Sequence, residues 1–184
     1  LYVIEYGDVR SETFRISDDI YDNSVWSSTL DTFMPVQMDH VRVNDRYRVW
    51  HGVSHLDDAR QAPADHTHFD GYAQMDSTDT QYEDGEHIPG LNVGGWYDAG
   101  DYDIRTGSQA SVVADLALAH ETFDIQWDET TVEPNNRYVN LRSPDGTSDI
   151  LQQVQHGTRQ LLAQFRAVGH AIPGIVAPTL DQYT

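Results

Sequence analysis

Cysteine and lysine are both missing from this 184-residue chain. Without cysteine it can form neither a disulfide framework nor a thiolate metal site. Without lysine, all 11 basic residues are arginine, set against 30 acids, 23 Asp and 7 Glu, for a formal net charge of −19. A surface of that sign repels nucleic acid and anionic membrane and argues against both as partners, whereas a neutral polysaccharide is compatible with it. The aspartate excess suits salty water, where screening relieves self-repulsion, although lineage bias accounts for it equally well. No apolar run is long enough to span a membrane.

What is present divides by its periodicity. Residues 1–16 alternate apolar and polar positions in two short runs, Leu1 to Tyr6 and Thr13 to Ile16, separated by Gly7-Asp8 and Ser11-Glu12, which is strand-and-turn patterning. From Ser17 the period becomes helical. Ser17 or Asp18 can cap a helix whose Trp26, Leu30, Phe33, Met34, Gln37 and Val41 fall near one face, with Pro35 kinking or ending it. Residues 42–95 hold most of the Gly, Pro, His and Asp clusters without a sustained period, and read as a long loop system lining a cleft. Thr106 or Ser108 can cap a second helix carrying Val112, Val113, Leu116, Ala119, His120 and Phe123. A third opens at Gly146-Thr147-Ser148-Asp149, places Ile150, Leu151, Val154, Thr158, Leu161, Leu162 and Phe165 on one stripe, and stops at Gly169.

Gly94-Gly95-Trp96-Tyr97-Asp98-Ala99-Gly100-Asp101-Tyr102 is the stretch that carries chemistry. It sets two carboxylates three residues apart in a loop stiffened by aromatics and loosened by glycines, just ahead of a helix. Ionised aspartates seldom stand unpaired inside a protein, and such a loop can hold them over a cleft where a water must lose a proton.

These nine contiguous residues closely resemble the signature of glycoside hydrolase family 9, the inverting cellulases and related β-glucanases. The resemblance implies a mainly α fold: a partial (α/α)6 barrel over residues 17–184, preceded in residues 1–16 by the last strands of an immunoglobulin-like β-sandwich. It implies that Asp101 is the general base and that Asp98 helps hold the nucleophilic water. The family's general acid is a glutamate farther along the barrel, beyond Thr184, so the chain is expected to be a piece of a longer polypeptide and not to catalyse alone. Cellulose, mixed-linkage glucan and xyloglucan are the implied substrates, with an exo-acting glucosaminidase or a non-catalytic carbohydrate-binding relative as alternatives. Export to the periplasm, the cell surface or the medium follows from the family alone. Asp103-Ile104-Arg105 departs from the usual continuation, a small residue and a lysine, which touches substrate contacts and not water activation.

Trp96 and Tyr97 have two readings. Their faces can support a sugar, or they can buttress the loop so that the aspartates keep their rotamers. No cofactor is required for the implied reaction. Structural zinc or calcium is conceivable without assigned ligands. Trp50 to Ala59 resembles a second family region in which Ser54 replaces a cysteine, and His55 with His66 or His68 would form only a weak, open zinc site. The acidic stretch Asp76 to Glu86 matches no EF-hand loop.

Overall fold

The computed structural model describes residues 1–20, 28–56, 59–61, 80–97, 104–172 and 174–175. In chain order the elements are β1 (Glu5–Tyr6), β2 (Val9–Arg10), a π-helical segment Ser28–Phe33 that runs straight into α1 (Met34–Gln37), β3 (Arg42–Asp45), β4 (Arg48–His51) and β5 (Ile104–Arg105). There follow α2 (Thr106–Phe123), β6 (Thr130–Glu133), a 3-10 turn Pro134–Asn136, β7 (Tyr138–Leu141), α3 (Asp149–Val168) and β8 (Gly174–Ile175).

The expectation of a mainly α chain forming part of an (α/α)6 barrel is overturned. The described residues combine three α-helices with a four-stranded sheet of order β4-β3-β7-β6 and two two-stranded sheets, β1-β2 and β5-β8. In the four-stranded sheet β3 is antiparallel to β4 and parallel to β7, and β6 is antiparallel to β7. The physical reason for the miss is strand length. Strands of four residues bury at most two positions each, too few to set a period, and β3 finds its parallel partner far along the chain, with Val43 opposite Val139. The loop system expected over 42–95 therefore contains two strands of this sheet.

The N-terminal strand-and-turn pattern takes the form of a small hairpin, Glu5 opposite Arg10 and Tyr6 opposite Val9, extended by a bridge between Tyr2 and Phe14. The first helix differs from its expectation. Residues 18–20 form a turn, residues 21–27 lie outside those described, and helical structure is described from Ser28. Leu30 is buried there, but Phe33, expected on the same face, is exposed. Pro35 sits just past the join between the π-helical segment and α1, where its missing N–H withholds a bond to the preceding turn, and the helix ends two residues later.

The second and third helices lie where the sequence places them. Gly169 ends α3 in the left-handed region at φ +85°, its N–H donating to Phe165 O at 3.1 Å. The buried face of α3 is nevertheless not the expected stripe, of which only Ile150 is buried. Gln153, His156, Gly157, Gln160 and Gln164 are buried beside Ile150 and Ala163, while Leu162 and Phe165 are exposed at 45% and 56%. Gln153 and Gln164 are met there by polar groups of neighbouring elements, whereas the Gln160 amide is buried without a hydrogen-bond partner among the described residues. Gln164 accepts from Ile172 N at 2.9 Å and donates to Thr106 Oγ1 at 2.8 Å, tying α3 to the start of α2.

The central apolar cluster joins Met38, Val41, Val43, Trp96, Val139 and Leu141, so one face of the sheet and the signature loop share a core. Smaller clusters gather Leu30, Ile125 and Ile150 on one side, and Ala59, Ile88, Leu91, Ala163 and Ile172 on the other.

Candidate functional site

Two glycines let the signature loop come down onto α3. Gly94 and Gly95 have φ of +68° and +83°, a region that disfavours any side chain. A Cβ at Gly94 would stand 2.3 Å from His156 O and 2.9 Å from Gln160 N, backbone atoms of a helix that cannot yield. Close approach of loop to helix is thus the reason for glycine at this position.

Once there, the loop is bonded residue by residue. His40 Nδ1 lies 2.8 Å from Gly94 O and His156 Nε2 lies 2.6 Å from Gly95 O. A carbonyl only accepts, so each of these ring nitrogens carries its proton. Burial drives the His156 pKa down to about 4, since an imidazolium would lose its hydration, with the bond to Gly95 O only partly offsetting this. A short antiparallel contact follows: Met38 bridges Trp96, Asp39 N donates to Gly95 O at 2.8 Å, and Tyr97 N donates to Gln37 O at 3.0 Å.

Trp96 points inward and is 4% exposed. Its Nε1 donates to Gln153 Oε1 at 2.8 Å, and the Gln153 amide in turn lies 3.3 Å from Met38 Sδ. Gln109, in the first turns of α2, accepts from Trp96 N at 3.0 Å and donates to Trp96 O at 3.1 Å, a reciprocal pair that replaces a strand partner. Such a ring braces the loop from beneath.

Tyr97 leads outward from this frame into a polar cluster. Its hydroxyl donates to Ser54 Oγ at 2.6 Å, and Ser54 Oγ donates to Asp39 Oδ1 at 2.8 Å. The fully buried Asp39 also accepts from His40 N at 2.7 Å, and its Oδ2 lies 3.2 Å from His55 Nδ1. Burial alone would raise the Asp39 pKa. The adjacent His55 ring, the charge of His40 and the Ser54 hydroxyl outweigh it and hold the carboxyl below its ordinary value. The His51 and His55 rings meet the Tyr97 ring edge-on at 5.7 and 5.5 Å.

Asp98 and Asp101 lie outside the described residues, as do His66, His68 and residues 76–79 of the acidic stretch. Described structure brackets the two aspartates on both sides. Upstream stands the bonded run Gly94 to Tyr97, and downstream β5 pairs with β8 and leads into α2, whose Gln109 reaches back to Trp96. His55 is drawn to Asp39, and among the described residues no group of three or more His, Cys, Asp or Glu is placed to hold a metal ion. Asp39, His40, Gln109, Gln153 and His156 escaped the reading of the sequence. The available signal was the run of glutamines along α3, which on composition alone reads as a solvated face.

No protein-family model matches the chain, and a search of curated proteins finds no match. Among solved structures the chain is similar to one described as the crystal structure of GH family 9 endoglucanase J30, with a TM-score of 0.55 and 22% identity over 89% of this chain. The match takes in 27% of that enzyme's chain, so this chain spans little more than a quarter of its length. The likeness is one of fold, to about a quarter of that enzyme's chain.

Proposed function

We propose that this chain belongs to a glycoside hydrolase that cleaves β-1,4-glucan linkages with inversion. The observation that carries the reading is the braced Gly94 to Tyr97 segment, bonded at every residue and followed directly in the sequence by Asp98, in a fold similar to that of a family 9 endoglucanase. Asp101 takes a proton from a water that Asp98 helps to orient. The water oxygen attacks C1 as the bond from C1 to the leaving oxygen breaks, and that oxygen is protonated by an acid elsewhere in the polypeptide. Inversion needs the acid and the base roughly 6.5–9.5 Å apart to admit the water, a spacing two residues of one short loop do not comfortably supply. Trp96 acts as the brace and Tyr97 as the arm that leads into the loop.

The partners on this reading are a neutral β-glucan and the rest of the polypeptide that supplies the acid. Among the described residues no helix is long and apolar enough to cross a membrane. Because a polymer substrate is met outside the cell, action outside the cytoplasm is part of the proposal.

The test is sugar release from soluble β-glucans, xyloglucan and chitosan oligosaccharides by the complete polypeptide, beside Asp101→Ala. Retained folding with activity lower by about 10³-fold or more supports the base and identifies the substrate class. An inactive parent on every substrate favours a carbohydrate-binding protein. Release confined to single residues from chain ends would indicate an exo-acting enzyme.

A further inference from the structure

The cluster around Asp39 does more than fill space. A buried carboxylate is costly unless polar groups meet it, and here His40 N and Ser54 Oγ donate to Oδ1 while His55 Nδ1 stands 3.2 Å from Oδ2, around a side chain with no measurable exposure. The direction of the bonds is determined. The ionised Asp39 only accepts, so the single Ser54 proton goes to it, and Tyr97 must then donate to Ser54. Tyr97 is thereby held at both ends: its N–H on Gln37 O at 3.0 Å and its hydroxyl on Ser54 at 2.6 Å. The ring between is flanked by His51 and His55. The next residue in the chain is Asp98.

We propose that Asp39 is a positioning residue for the Asp98 to Asp101 loop, acting through Ser54 to fix the Tyr97 phenol and so the direction in which the chain enters Asp98. What the loop does rests on the function proposed above; that Asp39 anchors it does not. An apolar residue in place of Asp39 would fill the interior without directing a hydroxyl. A carboxylate reaching Tyr97 through one serine imposes a single orientation on the residue beside the aspartates, and an error of about 1 Å in a catalytic group can cost roughly 10²-fold in rate.

The experiment uses the complete polypeptide with Ser54→Ala, Tyr97→Phe, Asp39→Asn and Ser54→Thr. Tyr97→Phe cuts the relay without taking a donor from the buried Asp39, and Ser54→Ala leaves it His40 N and the nearby His55 ring, so they report even if Asp39→Asn fails to fold. Amide hydrogen exchange over residues 95–103 is measured by mass spectrometry, alongside melting temperature, kcat and KM. Expected in both relay variants are a melting temperature within a few degrees of the parent and exchange in that segment faster by about tenfold. With them, kcat should fall by about tenfold or more while KM stays within about twofold, and Ser54→Thr, which keeps the hydroxyl, should behave as the parent. A merely structural role would lower the melting temperature without that split between kcat and KM. Parental exchange over 95–103 in both relay variants would overturn the inference, whatever the activity. Faster exchange in a protein whose parent hydrolyses nothing would uphold the anchoring by Asp39 and sink the catalytic reading of the loop instead.

Discussion

Gly157 lies flat against the indole of Trp96: a Cβ built on it would stand 2.4 Å from Trp96 Cη2 and equally close to Val113 Cγ2. The helix axis is thereby brought down onto the ring that braces the signature loop. In an open helix, Gly→Ala adds about 1 kcal/mol of stability. Here the sign should reverse. Gly157→Ala must displace either a ring bonded through Nε1 to Gln153 or the adjacent face of α2, an overpacking of roughly 1–3 kcal/mol. Chemical denaturation of parent and variant decides it, and a more stable variant would show that the ring has room to move.

A second expectation concerns alkaline pH. Asp149 and Asp31 are buried neighbours whose carboxyl groups interact, and Asp149 accepts from Glu129 N and Thr130 N at 3.0 Å each. Burial first, and then the neighbouring Asp31, push the Asp149 pKa up to about 8 from an ordinary value of 3.8. Between those limits the folded chain holds a proton that the unfolded chain has lost. That stabilisation is fully present below pH 3.8 and declines as pH rises to about 8. Asp149→Asn keeps a donor for Asp31 but cannot titrate, so its unfolding free energy should lose this component of the pH slope. Equal slopes in parent and variant between about pH 5 and 8 would refute the shared proton.

On the acid side His156 acts with the opposite sign. Its folded pKa of about 4 lies below the ordinary 6.5, so the unfolded chain takes up the proton first and stability falls as pH drops from 6.5 towards 4. His156→Gln keeps an N–H donor for Gly95 O without the titration. Compared in the Asp149→Asn background, where the opposing slope is gone, the additional His156→Gln change should flatten the acid limb. Persistence of the full acid slope would assign it to other groups.

The net charge of −19 leads to a fourth. If the aspartate excess is tuned to brine, the melting temperature should rise between low salt and about 1 M NaCl as self-repulsion is screened. A flat profile would leave lineage bias as the explanation of the composition.

The sequence alone showed the paired-aspartate motif between Gly94 and Tyr102, where the two long helices lie, and that Gly169 ends the second of them. Those features are local: capping, period and contiguous motif are written within a few residues of one another. The sheet was beyond its reach, because β3 and β7 define each other only when Val43 and Val139 meet, and neither short run has a period. Tertiary structure alone decided the polar interior. Gln153, His156 and Gln160 count as surface residues on hydropathy, yet they are buried because Gly94 and Gly157 let loop, helix and indole come close enough to exclude water. Side chains there partner the loop, His156 Nε2 at Gly95 O beside the Asp39 N–H and Gln153 Oε1 at the indole N–H.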